Sequence, residues 1–215
     1  MKTSEKAPEY WLKVEIVDTG LRGYVKPGAV KNFDIEEYKY DEEEWVYMFR
    51  EKTVVGDRVA ARISQGYPNY YFDTTKYHGA VDITAGPVGT THRMRVDEYP
   101  MFSPAAGNII ESHYYNGNTY YEVFGEGEKH DLGNHVVIET NDGYQVTLAH
   151  LEFAPLVKKG YKVTPYTMLG IAGNTGLSSG YHLHISVKKF NKEKGLYEVI
   201  DPRHMFPNIT FIDER

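Results

Sequence analysis

Gly173-Asn-Thr-Gly-Leu-Ser-Ser-Gly-Tyr-His-Leu-His184 is the stretch on which the fold turns. Asn174 to Gly180 reads as a tight Gly/Ser loop, and Tyr181 to Lys188 reads as a strand. Side chains two apart on a strand point the same way, so His182 and His184 face one side of a sheet. A second motif lies upstream, His78-Gly-Ala-Val-Asp82, running from a loop end into a strand start. A third, Thr147-Leu-Ala-His150-Leu, lies between them. Together they offer two histidines and a carboxylate for one metal, with further histidines beside it. Imidazole and carboxylate suit zinc, and three protein ligands leave its fourth position open.

Working outward, the surroundings read as β structure. Asn134-His-Val-Val-Ile-Glu-Thr, the turn Asn141-Asp-Gly143 and Tyr144-Gln-Val-Thr-Leu-Ala-His form a β-hairpin. Pro104-Ala-Ala-Gly-Asn-Ile-Ile-Glu-Ser-His opens a strand through a glycine turn, and Arg62-Ile-Ser-Gln-Gly-Tyr is a short strand before an aromatic loop, Tyr67 to Tyr77. The 19 tyrosines and 20 glycines fit many strands between tight turns, and long periodic helical segments are scarce. Residues 10–30 read as two strands around a Gly-rich turn, and they resemble the closing strands of a bacterial SH3-like module over a short span. The acidic run Asp34 to Glu44 reads as a solvated face; it lacks the spaced Asp/Asn-Gly loop of a calcium site.

Bulk properties exclude some classes. The net charge of −6 argues against a nucleic-acid binder, which carries a basic face. Without cysteine the chain has neither disulfides nor a thiolate metal site. No stretch approaches a membrane span, so no membrane insertion is expected, and Met1-Lys-Thr-Ser-Glu-Lys-Ala-Pro8 has no apolar core of a signal peptide.

The ordered set H-x3-D, T-x-x-H-L and G-N-T-G-x-S-x-G-x-H-L-H resembles the lysostaphin-type (LytM, M23) zinc metallopeptidases, over roughly residues 60–207. Val157-Lys-Lys-Gly160 is similar to the family's V-K-x-G-D-x-V turn, with Tyr161 in place of Asp, and Asp201-Pro202 to its closing D-P. The resemblance implies a mainly β fold of the duplicated-hybrid-motif type: an antiparallel sheet core with a zinc-bearing groove. It divides the chain into a small appendage, residues 1–55, and a peptidase domain, residues 56–215.

The same resemblance implies one zinc per chain held by His78, Asp82 and His184, with His150 and His182 as the catalytic pair. It implies a tyrosine aimed at the oxyanion, for which Tyr67, Tyr70, Tyr71 and Tyr77 compete; spacing favours Tyr71. The loops Gly86–Ser103 and Tyr115–Asn134 are longer than the family pattern and are expected to wall the groove or contact another protein. His92, His113, His130, His135 and His204 match no motif position and read as structural or exposed.

The implied function is hydrolysis of peptide bonds in bacterial peptidoglycan, at a stem or cross-bridge. The competing reading is an inactive scaffold, binding or virion structural protein on the same fold. The expected setting is a phage product, either a lysin or a tail-associated enzyme. It would sit in the virion tail, or in the host cytoplasm before release, and act on the cell wall. Residues 1–55 would then attach it to other phage tail proteins.

Overall fold

Hydrophobic alternation builds the centre of the molecule. In the computed structural model, residues 12–16, 21–25, 45–49, 53–55, 58–84, 100–115 and 132–213 are described, with side chains for 45–49 and from residue 61 on. The acidic run 34–44 lies outside the described residues, as do residues 85–99 and 116–131, which make up most of the expected loops Gly86–Ser103 and Tyr115–Asn134; Pro100–Phe102, at the end of the first, is a strand. His92 and His130 also lie outside the described residues.

β1 (Leu12–Ile16) pairs antiparallel with β2 (Leu21–Val25), the two strands expected within residues 10–30. A ten-stranded sheet follows. Its main path runs β10 (Lys162–Val163), β7 (Gly107–His113), β8 (Asn134–Thr140), β9 (Tyr144–Leu151), β12 (Leu183–Asn191), β5 (Val81–Thr84), β4 (Arg58–Gln65) and β14 (Ile209–Asp213). β3 (Thr53–Val55) joins β4, and β13 (Leu196–Ile200) joins β12. A separate pair joins β6 (Pro100–Phe102) to β11 (Met168–Ile171). The sheet is mixed rather than wholly antiparallel: β14 lies parallel to β4, with Ile209 opposite Val59 and Asp213 opposite Ile63. The expected hairpin at Asn141-Asp-Gly143 is present as β8–β9, with Gly143 at φ 86°.

β12 is the axis. Leu183, Ile185 and Val187 are fully buried, while His184 and Ser186 alternate to the other face. Val146 and Leu148 of β9, Val136 and Ile138 of β8, and Val81 and Ile83 of β5 fill the same core. Each such side chain contributes about 1.5–3 kcal/mol of burial.

The apolar run Trp45 to Phe49, upstream of the expected boundary at residue 55, packs into this core. Met48 and Phe49 are buried, Phe49 bridges Met101, and Val46 donates its N–H to the Pro104 carbonyl. Trp45 lies edge-on to Tyr144 and Phe206 and donates its indole N–H to Asp142 at 2.9 Å. Thus the turn of the β8–β9 hairpin is tied to residues nearly a hundred positions earlier.

Two irregularities in the ladders lie beside the histidines and the aspartate at the sheet end. Between β8 and β9 the register passes from Asn134↔Leu151 to Val136↔Leu148, so Ala149 and His150 stand opposite His135 alone. Between β4 and β5 it passes from Ile63↔Ile83 to Gln65↔Asp82, leaving Ser64 as the extra residue. Such bulges bend a strand and re-aim a side chain.

Candidate metal centre and active site

Three strands and one loop deliver the polar groups. Asp82 of β5 and His184 of β12 are direct partners across the ladder, and His184 is paired on its other side with Ala149 of β9. His182 is set by the bridge just before β12, its N–H bonded to the Gly173 carbonyl at 3.1 Å. His78 ends a loop that folds back on itself. The N–H groups of His78 and Gly79 both donate to the Pro68 carbonyl, at 2.8 and 2.9 Å. The Tyr70 ring stacks on the His78 ring, with centroids 4.2 Å apart.

His150 reaches the same place by a backbone exception. It has φ 61°, in the left-handed region that non-glycine residues seldom occupy, and it sits in the β9 bulge. That conformation interrupts the strand alternation. Its ring centroid lies 4.8 Å from that of His182 and 5.5 Å from that of His184.

Asp82 is the centre of charge. One carboxylate oxygen lies 3.0 Å from His184 Nδ1 and 3.3 Å from His78 Nε2, and the other lies 3.6 Å from His182 Nε2. Burial opposes its ionisation, but the hydrogen bond from His184 and the charges of His184 and His182 outweigh burial and hold the carboxyl well below the usual range. It is therefore a carboxylate at neutral pH.

Backbone carbonyls orient three of the rings. His78 Nδ1 is 2.9 Å from the Gly66 carbonyl, His150 Nδ1 is 2.7 Å from that of Thr175, and His182 Nδ1 is 2.6 Å from that of Gly180. A carbonyl only accepts, so each Nδ1 carries the proton and, in the neutral ring, each Nε2 keeps its lone pair. His184 is reversed, with Nδ1 toward the carboxylate. Burial, reinforced by His182 and His184, pushes His150 well below the ordinary imidazole range. Burial likewise lowers His182, against the pull of Asp82. Burial lowers His78 too, but Asp82 reverses the sign and leaves it raised.

One atom shows what the cluster is built to hold. The His78 side chain is 1% exposed, and its Nε2 has no hydrogen-bond partner although Asp82 is 3.3 Å away. A buried lone pair facing a carboxylate oxygen is unfavourable without a cation between them. Ligand atoms of His78, Asp82 and His184 all lie within 4.8 Å of one another. Two nitrogens and a carboxylate in one cluster fit zinc, with His78 offering Nε2 and His184 offering Nδ1. Among the described residues this is the one group of three or more side chains so arranged.

Other tyrosines and histidines fall elsewhere. Tyr71 turns toward the C-terminal strand: its hydroxyl donates to Asp213 at 2.5 Å, and its N–H donates to Gln65. Tyr67 donates its hydroxyl to the Val199 carbonyl. His113 and His135 stack on one another across β7 and β8, with His135 Nε2 3.5 Å from Glu111. His204 is exposed in the 3₁₀ turn Pro202–Met205. Tyr70, the ring against His78, stands one position before the tyrosine favoured by spacing. The bulge that aims His150 leaves no motif, only the unbroken buried run Leu148-Ala-His-Leu151.

A sequence model of Peptidase family M23 matches residues 76–196, more than half of the chain. An uncharacterized metalloprotease of Buchnera aphidicola subsp. Baizongia pistaciae is 38% identical over 148 residues, covering 67% of this chain and 31% of that protein. The peptidoglycan DD-endopeptidase ShyA of Vibrio cholerae is 46% identical over 115 residues, covering 53% of this chain and 23% of that protein. The chain therefore spans less than a third of the length of these relatives. A solution structure of lysostaphin is similar at 24% identity with a TM-score of 0.45, over 66% of this chain and 49% of that one.

Proposed function

The chain belongs to peptidase family M23, and from that premise we propose that it is a zinc-dependent endopeptidase that cuts peptide bonds in bacterial peptidoglycan. The observation that carries the proposal is the convergence of one ligand atom each from His78, Asp82 and His184 within 4.8 Å, with His150 and His182 beside them. Zinc, when bound, supplies a Lewis acid for the scissile carbonyl and makes water nucleophilic near neutral pH. The protein's own groups do the rest. Asp82 brings the negative charge that favours a dication in a buried place. His150 and His182, held neutral by burial, accept the proton of attacking water and pass it to the leaving amine.

Tyr71 enters the proposal as the oxyanion donor that spacing favours. To act so, its hydroxyl exchanges Asp213 for the substrate, so Tyr71→Phe lowers kcat with KM unchanged if the role holds. Tyr70→Phe serves as the comparison, since that ring packs on His78.

The substrate class follows the DD-endopeptidase name of the Vibrio cholerae relative. It is tested by mass spectrometry of wall fragments after digestion with the zinc-loaded protein. New peptide termini, absent with His184→Ala, support the proposal and name the bond. Intact fragments alongside confirmed zinc binding leave a scaffold or binding role instead. The phage setting extends the proposal: presence in purified virions supports a tail-associated enzyme, with residues 1–55 as its attachment, and presence only free in lysates removes that form.

A further inference from the structure

Thr175 holds His150 from two directions. Its carbonyl accepts from His150 Nδ1 at 2.7 Å, which fixes the ring. Its hydroxyl donates to the carbonyl of Leu151, the residue after His150, at 2.7 Å. The same hydroxyl accepts from the N–H of Asn134 at 2.9 Å, so its proton and one of its two lone pairs are engaged. Asn134 completes the frame. Its Nδ2 donates to the Leu151 carbonyl at 3.1 Å, and its Oδ1 accepts from the Tyr115 N–H at 2.7 Å. Asn134 is buried, at 2% exposure. On the other side of the bulge, the His150 N–H donates to the Leu132 carbonyl at 3.0 Å.

This arrangement surrounds the one described non-glycine residue with a positive φ. A left-handed residue persists when its neighbours over-determine it. Here the groups that do so converge on one side chain. The approach of the 173–176 loop to β8 is also close: a Cβ on Gly133 would lie 2.4 Å from the Thr175 carbonyl carbon and 2.5 Å from its hydroxyl oxygen. Glycine at position 133, itself at φ 58°, lets the two backbones meet.

We propose that Thr175 is a positioning residue for His150, locking its imidazole in the Nδ1–H tautomer with Nε2 presented to the metal centre, and that Asn134 braces the Thr175 hydroxyl for this purpose. The inference rests on the reading of His150 as a proton-handling group. The hydrogen bonds of Thr175 go to His150, Leu151 and Asn134. Thr175 acts through the ring it orients, as outer partners of functional histidines do.

The test uses the full chain labelled with ¹⁵N-histidine, zinc-free and zinc-loaded. Long-range ¹H–¹⁵N spectra read the His150 tautomer without reference to activity. Wild type is expected to show a single Nδ1–H form. Thr175→Val, which keeps the shape and removes the hydroxyl, is expected to show mixed tautomers. Its kcat on wall fragments is expected to fall about 10–100-fold with KM and zinc content unchanged. Thr175→Ser is expected to restore both readouts. If Thr175→Val does not fold, Thr175→Ala is read in its place. A single Nδ1–H form in the hydroxyl-free variant, or a Thr175→Ser variant as impaired as Thr175→Val, overturns the proposal. If wild type cleaves nothing, the peptidase reading fails while the tautomer spectra still decide the positioning role.

Discussion

His184 stands directly opposite Asp82 in the ladder between β12 and β5, with its Nδ1 3.0 Å from the Asp82 carboxylate. The metal centre is thus written into strand register. A slip of one residue would turn every side chain of β12 to the other face and bring Leu183 to the metal. Of the three candidate ligands, His78 comes from a loop, and its loop is fastened by the Pro68 and Gly66 carbonyls.

Removing a candidate ligand should weaken metal binding strongly without abolishing the fold. Asp82→Ala and His184→Ala are each expected to weaken zinc by more than about 100-fold, beyond what loss of an outer partner does. Titration calorimetry with the zinc-free protein reads this directly. Asp82→Asn keeps the shape and removes the charge, and is expected to fall between wild type and Asp82→Ala.

The backbone of His150 makes a separable prediction. His150→Ala leaves a residue with little tolerance for φ 61° in the bulge, whereas His150→Asn leaves one that accepts it. Both lose the imidazole and are expected to lose activity. Urea unfolding should find the Asn variant more stable than the Ala variant by about 1 kcal/mol.

Space around the loop glycines gives a contrast. A Cβ on Gly66 would lie 2.2 Å from the Tyr71 ring, while a Cβ on Gly180 meets nothing within 4 Å. Both residues offer carbonyls to site histidines. Gly66→Ala is expected to destabilise the fold by about 1–3 kcal/mol as Tyr71 is displaced from Asp213, and to weaken zinc through His78. Gly180→Ala is expected to stay within about 0.5 kcal/mol of wild type. Thermal unfolding and zinc titration of the pair check both.

Acid stability should report on Asp201. Burial raises its pKa, but the side-chain and backbone hydrogen bonds from Arg203 outweigh burial and leave it lowered. A carboxyl whose folded pKa lies below its unfolded value of about 3.9 stabilises fully above that value. The contribution disappears as pH falls through the lowered folded pKa. Asp201→Asn is therefore expected to be less stable than wild type at pH 7 and to converge on it at strongly acid pH, as followed by unfolding from pH 7 downward.

Much of this arrangement was legible in local pattern. The Asn141-Asp-Gly143 turn between two alternating runs gives β8 and β9, and the alternation about His184 gives β12, although the strand starts at Leu183 and His182 stands in the bridge just before it. The motifs also bring His78, Asp82, His150, His182 and His184 into one list before any folding. Long-range pairing was not legible. β14 lies parallel to β4 across some 150 positions, and no local periodicity signals it. Trp45 to Phe49 follows an acidic run that reads as solvated, yet its partners are Met101, Tyr144 and Phe206. The destination of the Tyr71 hydroxyl is Asp213, 142 residues away. The left-handed turn at His150 is set by a register shift and not by its own side chain.

The most direct measurement is zinc add-back to the metal-stripped protein, following release of new peptide termini from purified peptidoglycan at each increment. Hydrolysis that rises from near zero and levels at about one equivalent of zinc in wild type, with none from His184→Ala, is the result expected. Hydrolysis by the stripped protein equal to that of the reloaded one, or none from wild type at full zinc occupancy, would contradict the account.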